Sequence, residues 1–176
     1  MRIQSLLAVG VLALAGCAAP PPPDYAAQHK PGIDAIVAAW SAGKFDGLDA
    51  TLAANYQRRS VGGLDSDGVA GFKKLVGDFR TSYPDAKVVI DESFYLKDVS
   101  FHRWTFTGTN TGPGAEPPTG KSTKVTGSTL MRYQDGKISE ENVWFDTLDW
   151  YKQLGYTVTS PSAAAAAAAS APAKKK

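Results

Sequence analysis

Val99-Ser100-Phe101-His102-Arg103-Trp104-Thr105-Phe106-Thr107-Gly108-Thr109 decides the fold. β-Branched and aromatic residues dominate this run, so it reads as a strand. His102, Trp104 and Phe106 fall on one face and Arg103 on the other. Residues 87–97 have the same character, and Asp98 marks the turn between the two strands. After a Gly/Pro-rich loop over residues 111–120, residues 121–133 form a third strand. Asp135-Gly136 is a strong hairpin signal, and residues 138–146 form a fourth strand.

Upstream of Tyr83-Pro84-Asp85 the periodicity is helical. Ile33, Ile36, Val37 and Trp40 form one stripe behind Pro31, which suits a first turn, and Gly43 ends that helix. Phe45, Leu48 and Leu52 suggest a short second helix capped by Asp46, and residues 55–60 a short strand. Val69, Phe72, Leu75, Val76 and Phe79 form the clearest stripe of the chain, with Ser66 or Asp67 as its cap. A short amphipathic helix over residues 148–154 closes the domain before Gly155. Helices first and then an antiparallel meander predict an α+β plan, with helices packed on one face of a curved antiparallel sheet.

The two ends read differently. Arg2 and an apolar run over residues 3–14, too short to span a bilayer, form an export signal. Leu14-Ala15-Gly16-Cys17 ends it and resembles the lipobox of bacterial lipoproteins. Cys17 is the only cysteine of the chain, so its lipidation would leave no thiol for disulfides or metal. The expected organisation is a signal peptide over residues 1–16, then lipidated Cys17 and a proline-rich spacer to residue 24. A domain over residues 25–159 and an Ala-rich tail over residues 160–176 follow. Four consecutive prolines, Pro20 to Pro23, favour a stiff polyproline II spacer. No Asp follows Cys17, so the expected location is the cell envelope, at the outer membrane and facing the periplasm.

Charge and motifs narrow the function. The formal net charge is +2, and Arg2 with Lys174, Lys175 and Lys176 supplies +4, so the rest of the chain is near −2. That argues against nucleic acid, which asks for a concentrated basic face. The segment from Gly114 to Ser122 imitates a phosphate-binding loop but carries two prolines and leads into a strand, not a helix N-terminus. His29 and His102 lack metal-ligand spacing, so no metal is expected.

The last strand carries the candidate site. Glu140, Asn142, Trp144 and Asp146 share one face, Val143 and Phe145 the other. If the first face lines the hollow under the helices, Asp146 becomes a buried carboxylate whose pKa rises toward that of a general acid/base. The competing reading makes Asp146 the cap of the closing helix. Arg103 could hold a carboxylate substrate, pair with Asp146, or serve only as a surface arginine. His102 and Trp104 are candidates for either core or pocket wall.

Read together, several motifs resemble the SnoaL-like polyketide cyclase (ester cyclase) family. They are Gly108-Thr109-Asn110-Thr111-Gly112, Pro117-Pro118-Thr119-Gly120-Lys121, Arg132-Tyr133-Gln134-Asp135-Gly136-Lys137-Ile138-Ser139-Glu140, Asp146 and Gln153-Leu154-Gly155, with Tyr83-Pro84-Asp85 in support. The similarity spans residues 32–155. It implies an NTF2-like cone around an apolar pocket, and a small apolar or mixed ligand. It also implies an aspartate at the position of Asp146 acting as acid/base in an aldol ring closure without cofactor or metal. His102, Arg103, Trp104, Asn142 and Trp144 are the expected substrate-binding residues around it. The pattern is broken where Asn110 replaces the histidine common in the first motif, and where Asn142 stands in place of tryptophan. A non-catalytic binding or interaction role is the alternative, and the outer face of such a sheet offers a surface for a homodimer.

Overall fold

The computed structural model describes residues 23–114 and 117–163. Cys17, the expected export signal and most of the expected Ala-rich tail lie outside the described residues. The elements run α1 (Tyr25–Ala42), α2 (Leu48–Thr51), β1 (Leu52–Ser60), β2 (Ser66–Asp67), α3 (Gly68–Ser82), β3 (Lys87–Tyr95), β4 (Val99–Thr109), β5 (Ser122–Gln134), β6 (Lys137–Phe145) and α4 (Thr147–Gln153). All six strands form one open sheet in the order β2-β1-β6-β5-β4-β3. Three register shifts bend it, between Leu52 and Gln57, between Ile90 and Glu92, and between Arg132 and Tyr133. The architecture is the α+β plan of helices on a curved sheet.

The hairpin between β5 and β6 turns on Asp135 (φ 51°) and Gly136 (φ 76°), the two left-handed residues that a tight primed turn requires. The stripe of α3 packs as its spacing predicts. Phe72 and Val76 are fully buried, and Val69, Leu75 and Phe79 pack against the same core as Ile33, Ile36 and Trp40 of α1. Trp40 meets Phe72 and Phe79 edge-on at 6.0 and 5.2 Å between ring centres. Arg80 ties the layers together: its Nη1 donates to the carbonyls of Trp40 (2.9 Å) and Ala86 (3.2 Å), and its Nη2 to that of Pro84 (2.9 Å).

The first third departs from its sequence pattern. Asp24 caps α1 by accepting from the Ala27 amide at 3.0 Å, so the helix starts at Tyr25 and Pro31 lies inside it rather than in its first turn. Pro31 forfeits one backbone bond, to a carbonyl at exposed Ala27 where water can serve it. The second helix is a single turn with Gly47, not Asp46, at its cap. Leu52 leaves it for the sheet, because pairing opposite Ile138 outweighs local helical spacing. β1 runs parallel to β6, so the sheet is antiparallel except at this one junction.

Candidate functional site

The face of β6 that lines the interior is the opposite of the one expected. Tyr133 pairs with Ile138 and Arg132 with Glu140, so Ser139 is an extra residue in the ladder. A one-residue bulge reverses the alternation beyond it. Ile138 points inward, and after the bulge Glu141, Val143 and Phe145 do so. Trp144 is 45% exposed on the other face, and Asn142 donates its side-chain amide to Glu140 there. Asp146 is exposed and caps α4, its Oδ1 accepting from the Asp149 amide at 2.8 Å. The expectation of a buried acid/base at Asp146, with Asn142 and Trp144 beside it in the cavity, is therefore corrected. The correction extends to Arg103, which lies on the outer face between Asp91 (3.7 Å) and Glu92 (3.4 Å).

Between the sheet and the helices lies a partly open chamber of about 80 Å³. Its walls are mainly apolar, from Ile36 and Trp40 of α1, Ile90 of β3, Phe106 of β4, Val143 of β6 and Trp150 of α4. His102 and Trp104 also line it. The Trp104 indole donates to Thr129 Oγ1 at 2.9 Å and lies over Gly127, where a methyl group would overlap its ring. His102 is fully buried, and a serine hydroxyl meets each ring nitrogen: Ser93 at Nδ1 and Ser100 at Nε2, both at 2.8 Å. Burial, helped by the charge of His29, lowers its pKa to about 4, so the ring is neutral at physiological pH.

Three residues that sequence reasoning passed over form the polar centre. Arg58 on β1 and Glu141 on β6 both line the chamber, at 5% and 3% exposure, and join through Nη1–Oε1 at 3.2 Å. Tyr56 donates its hydroxyl to Glu141 Oε2. Burial and the neighbouring carboxylate push the Tyr56 hydroxyl well above its ordinary pKa, so it stays a donor. The Arg58 guanidinium lies 5.2 Å from the centre of the Trp40 ring. The partners are 83 residues apart in sequence, and no local spacing announces them. The usable signal was that Val143 and Phe145, the apolar pair, should face the core and carry Glu141 with them.

A second, open hollow of about 570 Å³ adjoins the chamber and shares Leu64, Phe79 and Trp150 with it. Tyr83, Tyr151 and Tyr156 supply much of its wall. Asn110 borders it in a structural role. Its Oδ1 accepts from the Thr119 amide at 2.8 Å, closing the base of the 111–120 loop. Gly112 presses on the Thr81 carbonyl so closely that any side chain there would collide with it.

A model of the SnoaL-like polyketide cyclases matches residues 33–154. No curated protein matches the chain. Among solved structures, TsrD from Streptomyces laurentii superposes with a TM-score of 0.65 at 23% identity, covering 73% of this chain and 96% of its own. AclR from Streptomyces galilaeus gives 0.63 at 22% identity, over 75% and 98%. A protein from Catenulispora acidiphila with a ketosteroid isomerase-like fold, in complex with trimethylamine, gives 0.61 at 17% identity, over 73% and 96%. At these identities the likeness speaks for the fold alone.

Proposed function

The chain belongs to the SnoaL-like polyketide cyclase family, and from that premise we propose that it is a small-molecule pocket protein, held in the cell envelope by a lipid on Cys17 and facing the periplasm. The observation that carries the proposal is the chamber. Apolar walls with a few placed polar groups are the usual make-up of a small-molecule site. At about 80 Å³ it is smaller than the ~150 Å³ of a cavity that takes benzene. Its occupant is therefore a small molecule, or the head of a larger one whose body lies in the adjoining hollow.

Binding fits the geometry better than acid/base turnover. Both nitrogens of His102 are engaged by serines. Glu141 is held by Tyr56 and Arg58. Asp146 faces solvent. A group that shuttles protons works best with a free position toward its substrate; both His102 nitrogens are taken, Asp146 points away from the chamber, and each Glu141 oxygen already meets a protein donor. Native mass spectrometry of the purified domain tests the reading, followed by thermal-shift titration with probes smaller than benzene, such as acetone and isobutene. A co-purifying molecule or a saturable rise in Tm supports it. Neither signal, with a chamber that stays dry and empty to every probe, would reject it.

A further inference from the structure

We propose that Arg58 is the polar anchor for the chamber's ligand, and that this ligand is a neutral molecule presenting an oxygen acceptor, such as a ketone or amide carbonyl, from an apolar body. The inference rests on the pocket reading above and adds the ligand's chemistry. A guanidinium carries five N–H donors. Among the described residues Arg58 makes one hydrogen bond, from Nη1 to Glu141. Its Nε is buried and has no partner. Its other N–H groups meet no partner among the described residues. Buried donors left unmet are costly and uncommon. The guanidinium lines the chamber, so an acceptor lodged there can reach its Nη edge.

Charge decides the kind of acceptor. Glu141 already neutralises Arg58. A carboxylate or phosphate entering the chamber would leave a net negative charge among apolar walls, which burial disfavours strongly. A carbonyl oxygen accepts the same N–H groups without adding charge. The rest of the molecule is apolar, because the remaining walls are. Leu64, Phe79 and Trp150 border both chamber and outer hollow, so a flat body can extend past them onto Tyr83 and Tyr151.

The test compares three small planar probes of similar shape on the folded protein: acetone, isobutene and acetate. Dissociation constants are read by NMR chemical-shift titration. The ketone should bind about tenfold more tightly than isobutene, the worth of one hydrogen bond to a charged donor, and acetate should bind more weakly than the ketone. The double variant Arg58→Met/Glu141→Gln removes the pair together, so that no lone charge is buried. It should bring ketone and hydrocarbon to the same affinity. Equal affinity for ketone and hydrocarbon in the unaltered protein overturns the anchor while leaving the pocket reading standing. Tightest binding by acetate overturns the neutral-ligand claim. No binding of any of the three defeats both this inference and the pocket reading. If the double variant does not fold, the ranking of the three probes on the unaltered protein decides the matter alone.

Discussion

Phe145 and Asp146, adjacent in the chain, point to opposite sides of the domain wall: Phe145 lines the chamber, and Asp146 turns outward to hold the first turn of α4. The two side chains mark where the sheet ends and the closing helix begins. An acid at this position thus serves the scaffold, and its removal should register in stability rather than in the chamber.

Asp146→Asn should be nearly silent, since asparagine caps as well as aspartate, whereas Asp146→Ala should cost about 1 kcal/mol. For a domain of this size that is a fall in Tm of roughly 3–5 °C. Thermal denaturation of the two variants, with probe affinity measured alongside, checks this. A large loss of probe binding in Asp146→Asn with unchanged Tm would contradict the placement of this residue.

His102 should make the protein acid-sensitive. Its folded pKa of about 4 lies below the ordinary 6.5, so between those values the unfolded chain binds the extra proton. The contribution is fully present above pH 6.5 and is lost as pH falls toward 4, at most about 3 kcal/mol for one such group. His102→Gln should lower stability at pH 7 and flatten the dependence of Tm on pH between 4 and 6.5. Parallel slopes in the two proteins would sink the idea.

Gly127→Ala should destabilise by about 1–3 kcal/mol, the usual penalty for forcing extra volume into a packed site. The added methyl would meet the Trp104 ring and lie 2.7 Å from the Trp144 carbonyl oxygen. Trp104 must then rotate, breaking its bond to Thr129. Urea denaturation reads the cost, and a changed tryptophan emission spectrum reads the rotation.

If the proposed lipid is carried on Cys17, Cys17→Ser should release the protein from the membrane fraction or leave residues 1–16 uncut, because a diacyl modification needs the thiol at that position. Fractionation with a radiolabelled fatty acid checks both. Membrane association equal to that of the unaltered protein, with no label in either, would remove Cys17 from the account.

The second half of the fold was legible because each β-strand there pairs with its sequence neighbour. Alternation over Val99–Thr109 and the Asp135-Gly136 turn give β4 and the last hairpin nearly residue for residue. β1 was harder, since its partner β6 lies across the whole chain and no local pattern reports it. On β6 the site failed at one residue. Ser139 adds a bulge that nothing in its own identity announces, and every side chain after it changes face. Arg58, Glu141 and Tyr56 were missed for a related reason: a buried ion pair is recognised by its two partners together, and sequence shows them only apart. His102 and Trp104 line the chamber because β4 keeps an unbroken register against β5.

The parallel junction of β1 and β6 also makes the pairing at the sheet's centre the costliest to reach. β3, β4, β5 and β6 can zip up hairpin by hairpin, each closing a short loop. β1 must find β6 across the whole meander, Leu52 against Ile138 and Ser60 against Val143. The same pairing brings Arg58 to Glu141. A cation and an anion that meet only through so distant a contact tie the chamber's polar centre to the closure that costs the chain most entropy.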